Sequence, residues 1–363
     1  MQPTCLVDDT PLCLDVPKAA AAQSAPCPCL SGAGDAAHVH GSQQLAATTT
    51  TLSDSAVTTD SDFAVLKVDE IPTTLRRRYL EGGYRPLHRS WRFYVESCFR
   101  WHNESVNIWT HLLPAFYFAV VLARELVGYE ARRLPAVVQC VGILCLMVGS
   151  SLAHTFHSRS RRDHCIWWMV DFLGITAFST CVGLQRFAYF EPRAADLVSR
   201  PVFLAVVVAL NVLFFVTTSF LLVRHTAWRA RPLFRMFCSL FVTLWTHIPL
   251  LERQHGCGMA QQREAFYWLL AAAFFLGAYV PERLRRGLFD YVGWSHQIFH
   301  VCVFVVAYKL AAAAHCDATD DALRSSLDAP TAAVALGLVL AVCAAVFVAL
   351  IASMASEHKD KDQ

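Results

Sequence analysis

His296 and His300 stand four residues apart in an apolar run, so a helix would project both imidazoles from one face. This spacing is one way for a helix to offer two nitrogens to zinc. A third imidazole that leaves the fourth position open is the donor pattern of a catalytic rather than a closed structural site. His154, at the end of another apolar run, is the candidate for that third nitrogen. Asp171, early in the following run, is suited to hold a metal-activated water or to act as general base. Ser150 precedes His154 by four residues, shares its face, and is suited to hydrogen-bond that water or a substrate carbonyl. Zinc held in this way lowers the pKa of its water to about 7. Each residue also has a plainer reading. A histidine pair near a membrane interface can be merely interfacial, and Asp171 can pair with Arg162 or a backbone donor. Glu104, Asn107 and His111 can form a network bracing the first apolar helix, while His157 and His164 read as wet loop residues.

The elements that must position these groups follow from hydropathy. Of 363 residues 55% are hydrophobic and only 17% charged, against about 25% charged in soluble domains. Eight apolar runs cover Ile108–Val127, Ala136–His157, Cys165–Tyr189, Pro201–Val223, Leu233–Leu251, Ala265–Val280, His296–Ala314 and Ala332–Met354. A helix of about 20 residues crosses a bilayer core of about 30 Å. Backbone groups in lipid must be satisfied internally, so the runs read as helices and the chain as an all-α membrane protein. Residues 1–62, rich in Ala, Ser, Thr and Gly, read as a disordered tail. Residues 63–107 mix arginines with aromatics and read as a membrane-surface segment. The core occupies 108–314, a loop 315–331, the eighth helix 332–354 and a short tail 355–363. The net charge of +2 gives no support to a nucleic-acid partner. Half of the 14 cysteines lie in apolar runs as packing residues, but Cys257 and Cys316 lie between runs and leave a disulfide open.

Chain parity then groups the polar residues. The end of an even span and the start of an odd one lie on the same side of the membrane. Ser150, His154, Asp171, His296, His300, Glu104, Asn107 and His111 therefore share one layer, and His247 falls at the opposite face. Basic residues concentrate before the first span and in the loops holding Arg159, Arg161 and Arg162, then Arg224, Arg229 and Arg231, then Arg283, Arg285 and Arg286. Loops rich in Arg face the cytoplasm, which puts the N-terminus, and the histidine layer with it, on the cytoplasmic side.

Four segments sharpen the reading. They are Gly83–Pro114, which begins GYRPLH, Ser150–Ser158 (SSLAHTFHS), Asp171 with Gly174, and Ser295–His300 (SHQIFH). Their order and content resemble the progestin and adiponectin receptor family, related to haemolysin III. GYRPLH followed by WRFY and HNE, together with Leu269–Arg283 and an eighth span, is most similar to the membrane progestin receptors. The resemblance implies a seven-transmembrane helix bundle of the adiponectin-receptor type, here with an eighth C-terminal transmembrane helix. It implies Zn²⁺ on His154, His296 and His300, a water held by Asp171, and support from Ser150. It also implies a steroid or lipid ligand, the plasma membrane, and signalling through an inhibitory G protein, and it leaves assembly as a homo-oligomer open. Adiponectin-receptor members resemble zinc amidases acting on ceramide, so a zinc-dependent lipid amide hydrolase stands as the alternative. A transporter is disfavoured, because the polar residues form one layer rather than a path.

Overall fold

The computed structural model describes residues 63–127, 130–191, 198–225, 228, 231–253 and 256–359. The tail 1–62 lies outside the described residues, as does the end of the C-terminal tail from 360 onward. The α-helices among the described residues are α1 (Trp91–Ser97), α2 (Ser105–Leu126), α3 (Leu134–Phe156), α4 (Arg161–Phe187), α5 (Arg200–Arg224), α6 (Arg231–Glu252), α7 (Met259–Ala278), α8 (Ser295–Thr319) and α9 (Ala329–Lys359). No strand forms among the described residues, where the β-pairing is confined to an isolated bridge between Leu66 and Tyr84.

Each of the eight apolar runs has become a helix. Seven of the helices, α2 to α6, α8 and α9, are long and apolar enough to cross a membrane. The remaining one, α7, has 20 residues but carries Gln261, Gln262, Arg263 and Glu264 in its opening turns, which dilutes its apolar character. It packs chiefly along α8, and a Cys257–Cys316 disulfide ties the start of α7 to the far end of α8. The chain is a multi-pass membrane protein, a helical bundle with an additional C-terminal apolar helix.

Packing explains where the polar groups meet. Helices α3 and α4 approach with little side chain between them. A Cβ on Gly174 would stand 2.6 Å from the Cys145 carbonyl oxygen, and one on Gly142 would stand 2.5 Å from the Cys181 Cβ. Small residues at such crossings let backbones touch, which replaces the hydrophobic drive that lipid removes. Gly174 lies one turn beyond Asp171, so this contact also draws Asp171 toward α3. Helix α9 covers the opposite flank, with Val339 and Cys343 against Trp168, Phe172 and Phe215. Leu113, Phe116, Leu213, Phe220, Phe274 and Leu338 point outward, as a lipid-facing surface requires.

The segment ahead of α2 is folded. Ile71, Leu75, Leu80 and Tyr84 form a small core with Trp294, at the start of α8. Two of its arginines turn inward. Arg85 is only 2% exposed. Its Nη1 donates to the Thr155 carbonyl at 2.7 Å, and its Nη2 donates to the His154 carbonyl at 2.7 Å. Carbonyls in the last turn of a helix lack intrahelical partners, so Arg85 closes the end of α3 beside His154. Arg77 reaches further, into the histidine layer.

Candidate functional site

The layer drawn from chain parity is a physical cluster. Ring nitrogens of His154, His296 and His300 lie within 4.8 Å of one another, a spacing that could hold a metal ion. His154 and His300 are fully enclosed, and His296 is partly exposed. The two Nε2 atoms of His154 and His296 are 3.4 Å apart. Nitrogens at about 2.0–2.1 Å from a tetrahedral zinc stand about 3.3 Å from each other, so this separation suits a shared ion.

Tautomers test the fit independently. His154 Nδ1 is 2.8 Å from Glu104 Oε2. A carboxylate can only accept here, so Nδ1 carries the proton and the Nε2 lone pair is left for the shared centre. The hydroxyl of Thr110 donates to the Val106 carbonyl at 2.7 Å, so His300 Nδ1–H donates to Thr110 Oγ1 at 3.2 Å. His300 Nε2 is thereby unprotonated as well. A carboxylate or hydroxyl behind each imidazole is the usual means of fixing a metal-binding tautomer. The donor set, imidazole nitrogens with an open side, fits a borderline divalent ion of the zinc type.

Local structure fixes each histidine. The backbone N–H of Ser295 donates to Glu282 Oε2 at 2.8 Å, and the Ser295 hydroxyl donates to the same carboxylate. A carboxylate at a helix N-terminus is favoured by the helix dipole, and this one anchors α8 one residue before His296. Gln297 accepts from Gly293 N–H at 2.6 Å and donates to the Tyr291 carbonyl at 2.9 Å, fastening the preceding loop. The Trp294 ring stacks on His296 at 5.4 Å, and His111 stacks on His300 at 3.9 Å with the planes 11° apart.

Asp171 and Ser150 are buried in the same layer. A Cβ on Gly149 would stand 3.1 Å from the Val170 carbonyl oxygen, so α3 and α4 meet immediately beside Ser150 and Asp171. Asp171 stands outside the 4.8 Å ligand set. His247 is absent from this cluster and lies with Arg186 at the other end of α4.

Charge organisation behind the histidines was not legible in residue spacing. Glu104 is 2% exposed. Its Oε1 accepts from Arg77 Nε at 2.9 Å and lies 3.2 Å from His157 Nε2. Its Oε2 takes Asn107 Nδ2 at 2.6 Å as well as His154. Burial alone would push its carboxyl up, but Arg77, His154 and His157 hold it well below the usual carboxylate range. His157, expected as a wet loop residue, is instead 3% exposed, and burial pushes its imidazole down to about 3. His111 stacks on His300 instead of joining Glu104. Glu104, His154 and His157 also satisfy the spacing for a metal, but the guanidinium of Arg77 already sits on that carboxylate, which disfavours a second cation. Arg77 is further held over the faces of Trp168 and Trp294 at 4.9 and 5.8 Å. The one signal that could have pointed inward was the position of Arg85 and Glu104 within GYRPLH and HNE.

Beside the cluster, an apolar groove of 560 Å³ opens between α2 and α8. Trp101, Trp109, Leu113, Val301 and Phe304 line it, and Thr110, the residue that holds His300, is part of its wall.

Comparison with known proteins gives a consistent neighbourhood. Residues 99–315 match the family model described as haemolysin-III related. The mouse protein named membrane progestin receptor beta is 29% identical over 253 residues, covering 65% of this chain and 71% of its own length. Human membrane progestin receptor gamma is 30% identical over 261 residues, or 67% of this chain and 78% of the receptor. Human membrane progestin receptor alpha is 31% identical over 264 residues, or 67% and 73%.

Proposed function

The chain belongs to the haemolysin-III-related family, with membrane progestin receptors among its similar relatives, and from that premise we propose that it is a plasma-membrane progestin receptor whose bundle holds one zinc ion. The observation that carries this reading is the 30% identity to a protein named as such a receptor across two-thirds of the chain. The groove between α2 and α8 supports it. Its volume falls in the range of small-molecule sites, about 300–1,000 Å³, and its apolar, aromatic walls suit a steroid skeleton arriving from lipid. Thr110 belongs to that wall and accepts from His300 Nδ1–H, so a ligand there would be felt at the histidine centre. The basic loops at the histidine end support a cytoplasmic orientation for it and for the N-terminus, where an inhibitory G protein would be the partner. Membranes from cells expressing the chain are expected to show saturable binding of radiolabelled progesterone above mock-transfected membranes; no such excess would end the receptor reading.

A second reading, a lipid amide hydrolase, is favoured by the Ser150–Asp171 pair beside a donor set with an open side. His154, His296 and His300 would hold the zinc, which supplies Lewis acidity to the amide carbonyl and to water. Asp171 would receive the proton of the attacking water and pass it to the leaving amine. Ser150 would hold that carboxylate in place, and Glu104 would keep His154 in its ligand tautomer. Purified protein is expected to release fatty acid and sphingoid base from ceramide. Asp171→Asn should slow this by about 100-fold or more, the usual weight of a general base. Metal-replete wild type without any release would remove the hydrolase and leave the receptor.

A further inference from the structure

The opposite end of the bundle contains a buried cation that the histidine site does not use. Arg186, in the last turn of α4, is 4% exposed, and the carboxylates among the described residues do not pair with it. Its partners are neutral. Nη1 donates to Thr246 Oγ1 at 3.1 Å, and Nη2 donates to Gln262 Oε1 at 3.1 Å. His247 uses its Nδ1–H on the Thr243 carbonyl at 2.7 Å, so its Nε2 accepts from Nη2 at 3.4 Å. Among the described residues, Nε–H of Arg186 has no acceptor, and neither does the hydroxyl of Tyr189, three residues on and also buried. The nearby carboxylate of Asp317 is already neutralised. It takes Arg253 Nη1 at 2.8 Å and Nη2 at 2.5 Å, together with Gly258 N–H and Gln185 Nε2.

A guanidinium enclosed in a membrane protein without a counter-charge is costly, and such residues mark function by default. The C-terminal dipole of α4 offsets about half a charge. That leaves the remainder, and two unfilled donors, unexplained by structure alone. A ligand that brings one negative charge and several acceptor oxygens answers both. Arg186 lies 15 residues beyond Asp171 on α4, about 22 Å along the axis. This is too far for one steroid to touch both ends.

We propose that Arg186 and Tyr189 form an anion seat, in the half of the bundle away from the histidines, for the acid group of a monoanionic amphiphile such as a steroid sulfate or a fatty acid. Arg186 supplies the charge and a free N–H, Tyr189 a neutral O–H, and Gln262 and Thr246 hold the guanidinium in register. The seat does not depend on the zinc reading or on the progestin reading.

The test uses full-length protein in phosphatidylcholine nanodiscs, with three photoactivatable probes: a steroid 3-sulfate, its uncharged parent and palmitate. One or both anionic probes should label the wild type saturably, and which of them does identifies the source. Arg186→Gln should weaken that binding at least tenfold while leaving the uncharged parent unchanged. Arg186→Lys should retain part of it, and Tyr189→Phe should weaken it a few-fold. Each variant is compared with wild type by elution profile and thermal midpoint, and Arg186→Lys covers the case of a poorly folded Arg186→Gln. No saturable anionic binding to wild type, equal anionic affinity in a folded Arg186→Gln, or equal losses for charged and uncharged steroids would each overturn the proposal.

Discussion

Purified His300→Ala protein is expected to carry less than about one-tenth of the metal found in wild type, measured by plasma mass spectrometry after gel filtration into metal-free buffer. Replacing a group that merely supports a ligand costs about 10–100-fold in affinity, and His300 is proposed as a direct donor. Its Nε2 is kept unprotonated by Thr110, and its ring is fixed by the stack on His111. Removal leaves His154 and His296 as a two-nitrogen site, and such a site competes poorly with buffer. Thr110→Val tests the same chain of causes one link back. Losing the acceptor for Nδ1–H frees the tautomer, so metal affinity should fall by the 10–100-fold just cited, less than for His300→Ala. His247→Ala, at the other end of the bundle, is the control and should keep its metal. Stoichiometric metal in His300→Ala would contradict the ligand set.

The helices and the histidine layer could be read from sequence because lipid leaves few choices. An apolar run of about 20 residues must be helical, and a helix that enters one face must leave by the other. Residues at consecutive span ends, His154 and His296 among them, are thus forced into one layer before any packing is known. The inner charges had no such constraint. Arg77 and Arg85 belong to a run of arginines that would serve equally well at lipid headgroups, since a long side chain can lie either way. Their direction depends on the free carbonyls at the end of α3 and on Glu104, groups from distant parts of the chain. His157 departs from the wet-loop expectation for the same reason. It follows the last turn of α3, where a loop residue is usually wet, but the folded segment 63–90 covers it. The Cys257–Cys316 disulfide needed the α7–α8 contact before the pairing could be decided. The seat at Arg186 is not legible in sequence, because Arg186 and His247 are far apart in the chain and meet only once α4 and α6 are packed.

Glu104→Gln should be the most destabilising single change among the polar residues of the layer. The carboxylate is the common anion for Arg77, His154 and His157, at 2.8, 2.8 and 3.2 Å. An amide of the same shape keeps the volume but leaves the partly buried Arg77 guanidinium beside uncharged partners. Breaking a buried ion pair from one side costs about 3–5 kcal/mol, and for a domain of this size each kcal/mol moves the thermal midpoint by about 2–4 °C. The midpoint in detergent should therefore fall by about 10 °C. Glu96→Gln gives the comparison. Glu96 also pairs with an arginine, Arg92 at 2.6 Å, but both side chains are largely exposed, and such pairs contribute about 0–1 kcal/mol. The two substitutions remove the same chemical group, so the contrast isolates burial. Glu104→Gln has a second consequence that a purely structural residue would lack. The amide can present its nitrogen to His154 Nδ1 and reverse the tautomer, which places a proton on the Nε2 meant for metal. Metal affinity should then fall about 10–100-fold even at temperatures where the variant remains folded. A variant that melts early yet binds metal like wild type would reduce Glu104 to a brace for α2. One that melts no earlier than Glu96→Gln would refute the charged hub altogether.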